Sequence, residues 1–325
     1  METEDKQSKA ATQPLPVDQT AGVPLVSNGR HPRWMSRLAL TWPFIYAIHF
    51  TLIICLGITI ILLATVRGGM KKHRVAFWVL FAFFMSSVVA IFNTLMLQLV
   101  FIPRFWRSRA REMVTSGMFD PTSTRSSVYG HNIVLEVGCS EGMVSGSFAK
   151  EILAHQRDTP ARFPLFIGHD RWSKWTRIPN NTTCYLEELI RIGVPRHLIR
   201  TSRVDETNSE TRTTLPFANN SISLVISYFG LDEISGWNKP KERRMLFSEM
   251  ARVVVEGGAM ILFENSGTGT EKGDKKELKP KSWFEGPMHS YKRYLVHELG
   301  WDEEWVQVHR KWGIEYLVAR KGVSV

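Results

Sequence analysis

Residues 135–146, LEVGCSEGMVSG, run from an apolar segment into a turn with glycines at 138, 142 and 146. A strand that passes through a glycine turn directly into a helix brings backbone close to a ligand at the carboxyl end of a parallel sheet. By itself the pattern is weak, because many strand-to-helix turns use glycine only to reach positive φ. The flanking chain strengthens it. Strand-like runs at 132–138, 163–170, 198–205, 223–229, 259–265, 305–312 and 314–320 alternate with helical stretches at 143–155, 183–192, 240–254 and 289–299. Strands of continuous apolar character separated by helices read as a parallel sheet covered on both faces. The last two strands have no helix between them, so they should form a hairpin. The expected class is therefore α/β: a seven-stranded mixed sheet with helices on both faces.

The first third of the chain reads differently. Residues 42–66 and 75–102 form runs of 25 and 28 residues without Asp, Glu, Lys or Arg. Each is longer than the roughly 20 residues that cross a bilayer as a helix. They are joined by RGGMKKHR (67–74), so the expectation is two transmembrane α-helices in an antiparallel hairpin, with spans of about 42–66 and 75–102. The joining loop carries four Lys/Arg, and the opposite flank carries seven at Arg30, Arg33, Arg37, Arg104, Arg107, Arg109 and Arg111. That balance puts both termini, and the domain that follows, in the cytosol. A re-entrant hairpin dipping into one leaflet would also satisfy the charges. Residues 1–36 lack apolar periodicity and read as a disordered polar tail. The resulting division is 1–36 tail, 37–111 hairpin, 112–325 α/β domain.

Charge narrows the function classes. The chain carries +10, yet residues 112–325 hold 28 Lys/Arg against 27 Asp/Glu, so the α/β domain is nearly neutral and the excess borders the apolar runs. A nucleic-acid-binding domain would concentrate it on the folded domain, so nucleic acid is not an expected partner. The three cysteines, Cys55, Cys139 and Cys184, include no CxxC pair, which supports neither a disulfide framework nor a zinc site. Cys139 reads as a small residue filling the turn, with a reactive thiol as the alternative.

In detail, Glu136-x-Gly138-x-x-x-Gly142 resembles motif I of the class I S-adenosylmethionine-dependent methyltransferases, in the branch that includes quinone and sterol methylators, over about residues 130–321. The stretches LPFANNSISLVIS (215–227) and SEMARVVVEGGAMILFE (248–264) are similar to later segments of that family, in the same order. The resemblance implies a Rossmann-like fold and S-adenosylmethionine as cofactor. Its binding residues would be Glu136, Gly138, Ser140, Gly142, Asp170 on the ribose hydroxyls and Asp205 near the adenine. Three departures stand out: Ser140 replaces the middle glycine of motif I, Ser223 an aspartate, and Glu256 a proline. Ser140 can still offer its N–H, and its hydroxyl can reach a cofactor carboxylate.

No catalytic residue is assigned, because Tyr228, Asp232, Glu233 and His289 near strand ends match no motif, and no metal site is expected. The reading is an integral membrane methyltransferase with two spans, the endoplasmic reticulum being one candidate membrane. Its acceptor would be a hydrophobic small molecule or lipid: an isoprenoid, quinone, sterol or secondary metabolite. A tethered enzyme meets a lipid-dissolved acceptor at high effective concentration. The alternatives are a protein or RNA methyltransferase at a membrane, and an inactive methyltransferase-like scaffold.

Overall fold

The computed structural model describes residues 53–54, 56–61, 78, 81–82, 84–89, 92, 96, 100–119, 132–155, 163–172, 182–204, 212–236, 239–264, 287–311 and 314–322. The chain divides into two compact units; residues 107–173 and 180–325 fall in the unit that holds the sheet, and the described residues up to Trp106 fall in the other.

The sheet has seven strands: β1 (Ile133–Val137), β2 (Leu165–Asp170), β3 (Ile199–Arg203), β4 (Ile222–Tyr228), β5 (Val254–Phe263), β6 (Val306–Lys311) and β7 (Ile314–Arg320). Their order is β3-β2-β1-β4-β5-β7-β6. The strands from β3 to β5 are mutually parallel, and β7 is antiparallel to both β5 and β6. This is the expected mixed sheet, with the expected final hairpin. All residues of β1, β2 and β4 are buried, as continuous apolar runs under helices on both faces require. Chain order reverses beside β1, which lies between β2 and β4; that is where an open α/β sheet forms a crevice at its strand ends.

The helices are α1 (Ile102–Thr115), α2 (Met143–His155), α3 (Thr182–Ile192), α4 (Gly230–Ser235), α5 (Pro240–Val253) and α6 (Pro287–Arg293), the last continuing as a π-helical turn, Tyr294–Glu298. Proline at the first position of α5 needs no N–H there and pre-sets φ. Leu246, Phe247 and Met250 of α5 are fully buried and join Val225, Met260, Leu262 and Tyr291 in the core.

Besides α1, which runs across the expected boundary at residue 111, two elements depart from the sequence expectation. The strand expected at 259–265 begins at Val254, directly after α5, and passes through Gly257 at φ +74 with an irregular register against β4. The double glycine is therefore a bulge inside a strand rather than the loop before it. A Cβ on Gly258 would meet Val255 O at 2.9 Å and Ser223 O at 3.0 Å. The second departure is α4, six residues long and too short for periodicity to reveal.

The tail and most of both apolar runs, including their polar residues His49, Asn93 and Gln98, which within a span would read as interhelical hydrogen-bonding or functional positions, lie outside the described residues. Among the described residues no helix is long and apolar enough to cross a membrane. Those described within the runs include helical Ile54, Ile58, Ile61, Val89 and Phe92, all large apolar side chains that are exposed. Three of the arginines counted as a membrane flank have partners beside the sheet. Arg107 and Arg111 both reach Glu151 of α2, at 2.9 and 3.0 Å, and Arg109 donates to the Tyr316 hydroxyl at 2.8 Å. Burial pushes the Glu151 carboxyl up, but the two guanidiniums outweigh this and hold it below the usual carboxylate range.

Candidate functional site

β1 ends in a turn held left-handed at three points: Gly138 (φ +73), Ser140 (φ +46) and Gly142 (φ +78). Glycine suits such angles, whereas serine adopts them at a cost. Packing makes the same demand. A Cβ on Gly142 would lie 2.8 Å from the Tyr185 ring, and one on Gly138 would lie 2.2 Å from the Cα of Gly230. Glu136, 2% exposed, extends from β1 to accept the Ser145 N–H at 2.9 Å in the first turn of α2. Burial raises its carboxyl to about 8, against the stabilising hydrogen bonds from Ser145 and Val144.

The turn is tied to β2 as well. Gly138 N–H donates to His169 O at 2.8 Å, and Ser140 N–H donates to Asp170 Oδ2 at 2.7 Å. Asp170 is fully buried, and its other oxygen accepts the Trp172 N–H at 3.4 Å. The carboxylate expected on ribose hydroxyls thus grips the glycine turn itself, joining two segments that are 30 residues apart. Trp172, itself at φ +49, packs edge-on against Tyr185, and its indole N–H reaches Ser202 O at 3.4 Å. His169 is buried and lowered to about 4, so it is neutral, with Nδ1 3.0 Å from the Ser202 hydroxyl. Cys139 is buried against the backbone of Gly168, and burial pushes its thiol well up; this is the environment of a packing residue, not of a nucleophile.

A second acidic centre lies at the ends of β4 and β5; the sequence offers Asp232 there but does not single out Glu264. Glu264, 2% exposed and one residue past β5, accepts the Ser227 hydroxyl at 2.8 Å and the Leu231 N–H at 2.9 Å, both on Oε1. Burial, then the charge of Asp232, raise it to about 8. Asp232, fully buried, pairs with Arg243 of α5 at 2.8 Å. The neighbouring Gly230 is wedged against the first turn: a Cβ there would fall 2.0 Å from Val137 O. Beside these groups Tyr228, Phe229 and Phe263 form an aromatic cluster with centroids 4.6 to 5.2 Å apart. Phe229 and Phe263 are half-buried, and Phe229 sits at φ +58, an unusual angle for a bulky side chain.

The structure brings together Glu136, Gly138, Ser140, Gly142 and Asp170, while Asp205 lies outside the described residues. Two of the three departures from motif lie away from the turn. The Ser223 hydroxyl donates to Asn132 Oδ1 at 3.1 Å and accepts the Ile133 N–H at 3.3 Å, at the opposite end of β1. Glu256 is exposed on the β5 bulge. Of the strand-end groups considered as bases, Asp232 is consumed by its ion pair, Tyr228 is buried in the aromatic cluster, and His289 lies on α6, 3.7 Å from Glu315. Among the described residues there is no cluster able to hold a metal ion.

No family model and no curated protein matches the chain. Solved structures do. A YcgJ protein from Bacillus subtilis matches at 16% identity over 49% of this chain and 52% of its own, with a TM-score of 0.31. An O-methyltransferase family protein from Burkholderia thailandensis matches at 12% identity over 74% of this chain and 61% of its own, with a TM-score of 0.42. Human N-acetylserotonin methyltransferase, solved with S-adenosylmethionine, matches at 14% identity over 71% of this chain and 56% of its own, with a TM-score of 0.37. The chain thus spans only about half to three-fifths of the length of these proteins.

Proposed function

We propose that the protein is a membrane-anchored S-adenosylmethionine-dependent methyltransferase acting on a hydrophobic small molecule or lipid. The observation that carries this reading is the left-handed turn from Gly138 to Gly142, set between β1 and α2 at the point where strand order reverses, and pinned from β2 by Asp170. The residues suit that cofactor in kind. Five N–H groups of the segment, those of Gly138, Ser140, Gly142, Val144 and Ser145, already have partners within the protein. The turn would therefore hold the cofactor through a preset shape and the Ser140 hydroxyl rather than through those amides. When bound, the cofactor supplies an activated sulfonium methyl, so the chain's own task is to hold an acceptor close and in line with it.

The acceptor class follows from the aromatic cluster and the apolar runs. Phe229 and Phe263 present half-buried rings one residue from Gly230 and from Glu264, which is a surface for an apolar acceptor rather than a charged one. The exposed Ile54, Ile58, Ile61 and Phe92 fit contact with lipid, and with the charge-free runs they support two spans with the α/β domain on the cytosolic side, for instance at the endoplasmic reticulum. The positions of Ser223 and Glu256 away from the turn remove two of the three reasons for an inactive scaffold.

Calorimetry of the full chain in lipid nanodiscs with S-adenosylmethionine tests the cofactor, and a chain that binds none at millimolar concentration overturns the reading. Membranes containing the protein, incubated with methyl-labelled cofactor and then fractionated, test the acceptor. Label in the lipid extract is expected; label confined to protein or nucleic acid overturns the acceptor class.

A further inference from the structure

We propose that Glu264 is a positioning residue for the cofactor site: its carboxyl holds the first turn of α4, and Gly230 at the start of that turn fixes the glycine turn after β1. The inference rests on the reading that this turn takes S-adenosylmethionine. Its geometry is a short chain of contacts with no slack. One oxygen of Glu264 accepts both the Ser227 hydroxyl of β4 and the Leu231 N–H of α4. Gly230, the residue before Leu231, leaves no room for a Cβ against Val137 O, and Gly138 leaves none against Gly230. Phe229 N–H is bonded at 2.9 Å to Phe263 O, so the residues on both sides of Gly230 are held to the end of β5. A shift of Glu264 therefore moves Leu231, then Gly230, then Val137 and Gly138.

The other oxygen, Oε2, is buried and has no hydrogen-bond partner among the described residues. Among the described residues, the titratable groups that interact with this carboxyl are Asp232 of α4 and Tyr291 of α6, and Arg243 of α5 is paired to Asp232. Asp232 and Arg243 pair with each other, and burial keeps Glu264 protonated at neutral pH. Loss of that proton sets two buried carboxylates against one guanidinium. The repulsion bears on the residue that holds α4, so cofactor affinity should fall as Glu264 ionises.

The test is calorimetric titration of the full chain with S-adenosylmethionine at about pH 6.5 and about pH 9, for the wild type, Glu264→Gln and Glu264→Ala. Glutamine keeps an oxygen for Ser227 and Leu231 but does not ionise. It should hold wild-type affinity at the lower pH and lose less on going to the higher one; Glu136 titrates in the same range and accounts for the loss that remains. Alanine should weaken binding about tenfold in protein that still unfolds cooperatively. Equal losses with pH in the wild type and Glu264→Gln, or wild-type affinity in folded Glu264→Ala, would overturn the inference. Should Glu264→Ala not fold, the glutamine comparison decides alone. Failure of the wild type to bind at either pH would instead count against the cofactor reading.

Discussion

Glu136, on β1, and Glu264, just past β5, are both almost wholly buried, both accept a backbone N–H from the first turn of a helix, and both are pushed to about 8. Each also lies near an aspartate that raises it further, Asp170 in one case and Asp232 in the other. They differ in how that aspartate is satisfied. Asp170 accepts backbone N–H groups, those of Ser140 and Trp172, whereas Asp232 is paired with the side chain of Arg243. The first centre is thus built into its own turn, and the second depends on an ion pair supplied by α5. Backbone donors cannot leave without unfolding the turn, but a guanidinium can be removed by one substitution.

The largest effect should come where the two centres touch. Gly230→Ala puts a Cβ on Val137 O, and Gly138→Ala combines a clash with Gly230 with a φ of +73. Both partners are backbone, so neither can yield cheaply. Each substitution should cost at least about 3 kcal/mol or prevent folding, measured by urea unfolding. Gly142→Ala shares the left-handed strain, at φ +78, but its new Cβ meets the Tyr185 side chain rather than backbone, so it should cost less than Gly138→Ala. Equal stability of Gly230→Ala and wild type would mean that the centres are not in contact.

Next in size is Arg243→Met, which leaves Asp232 buried without its partner. Loss of about 3–5 kcal/mol is expected, because removing one member of a buried pair strands the other charge. Deleting a side chain beside Asp170 leaves the Ser140 and Trp172 N–H groups on that carboxylate in place, so no such deletion should match it. A loss as small as that of an exposed pair would erase the distinction between the centres.

Titration sharpens the comparison more gently. Both glutamates rise from an ordinary value of 4.5 to about 8 on folding, so between those limits the folded chain binds more protons than the unfolded one. Their contribution to stability is therefore fully present below about pH 4.5 and is lost as pH rises towards 8. Glu136→Gln and Glu264→Gln should each flatten part of this slope, and the double variant should flatten it most. Urea midpoints measured from about pH 4.5 to about pH 8 check this; an unchanged slope in both single variants would refute it.

Legibility in the sequence tracks the distance between partners. Glu136, Gly138, Ser140 and Gly142 lie within seven consecutive residues, and α2 matches its expected range because the whole signal lies within one stretch of chain. Glu264 is 37 residues from Ser227 and 33 from Leu231, and it reaches them only because β4 and β5 pair with Tyr228 opposite Phe263. In sequence it is merely the acid in LFEN (262–265). The same cause hid the Asp170 contact: a strand-end acid was legible, but its bond to Ser140 depends on the β1–β2 register. The early start of β5 was hidden for a different reason, since a double glycine reads as a turn while a bulge lets the strand pass through it.

The smallest expected effect concerns charges that the sequence alone assigned to the membrane flank. Arg107 and Arg111 are exposed by 60% and 62%, and both converge on Glu151, whose side chain is only 7% exposed. Exposed ion pairs contribute little and weaken with salt, so Glu151→Ala should lower the thermal midpoint less than any substitution above. The buried end of the contact nevertheless distinguishes it from a flank charge that serves only to orient the membrane segment. If Arg107 and Arg111 help dock α1 against α2, Glu151→Ala should speed proteolysis within Ile102–Thr115 even where the midpoint hardly moves. Unchanged cleavage there would return both arginines to the flank and restore their full weight in the argument for a cytosolic domain.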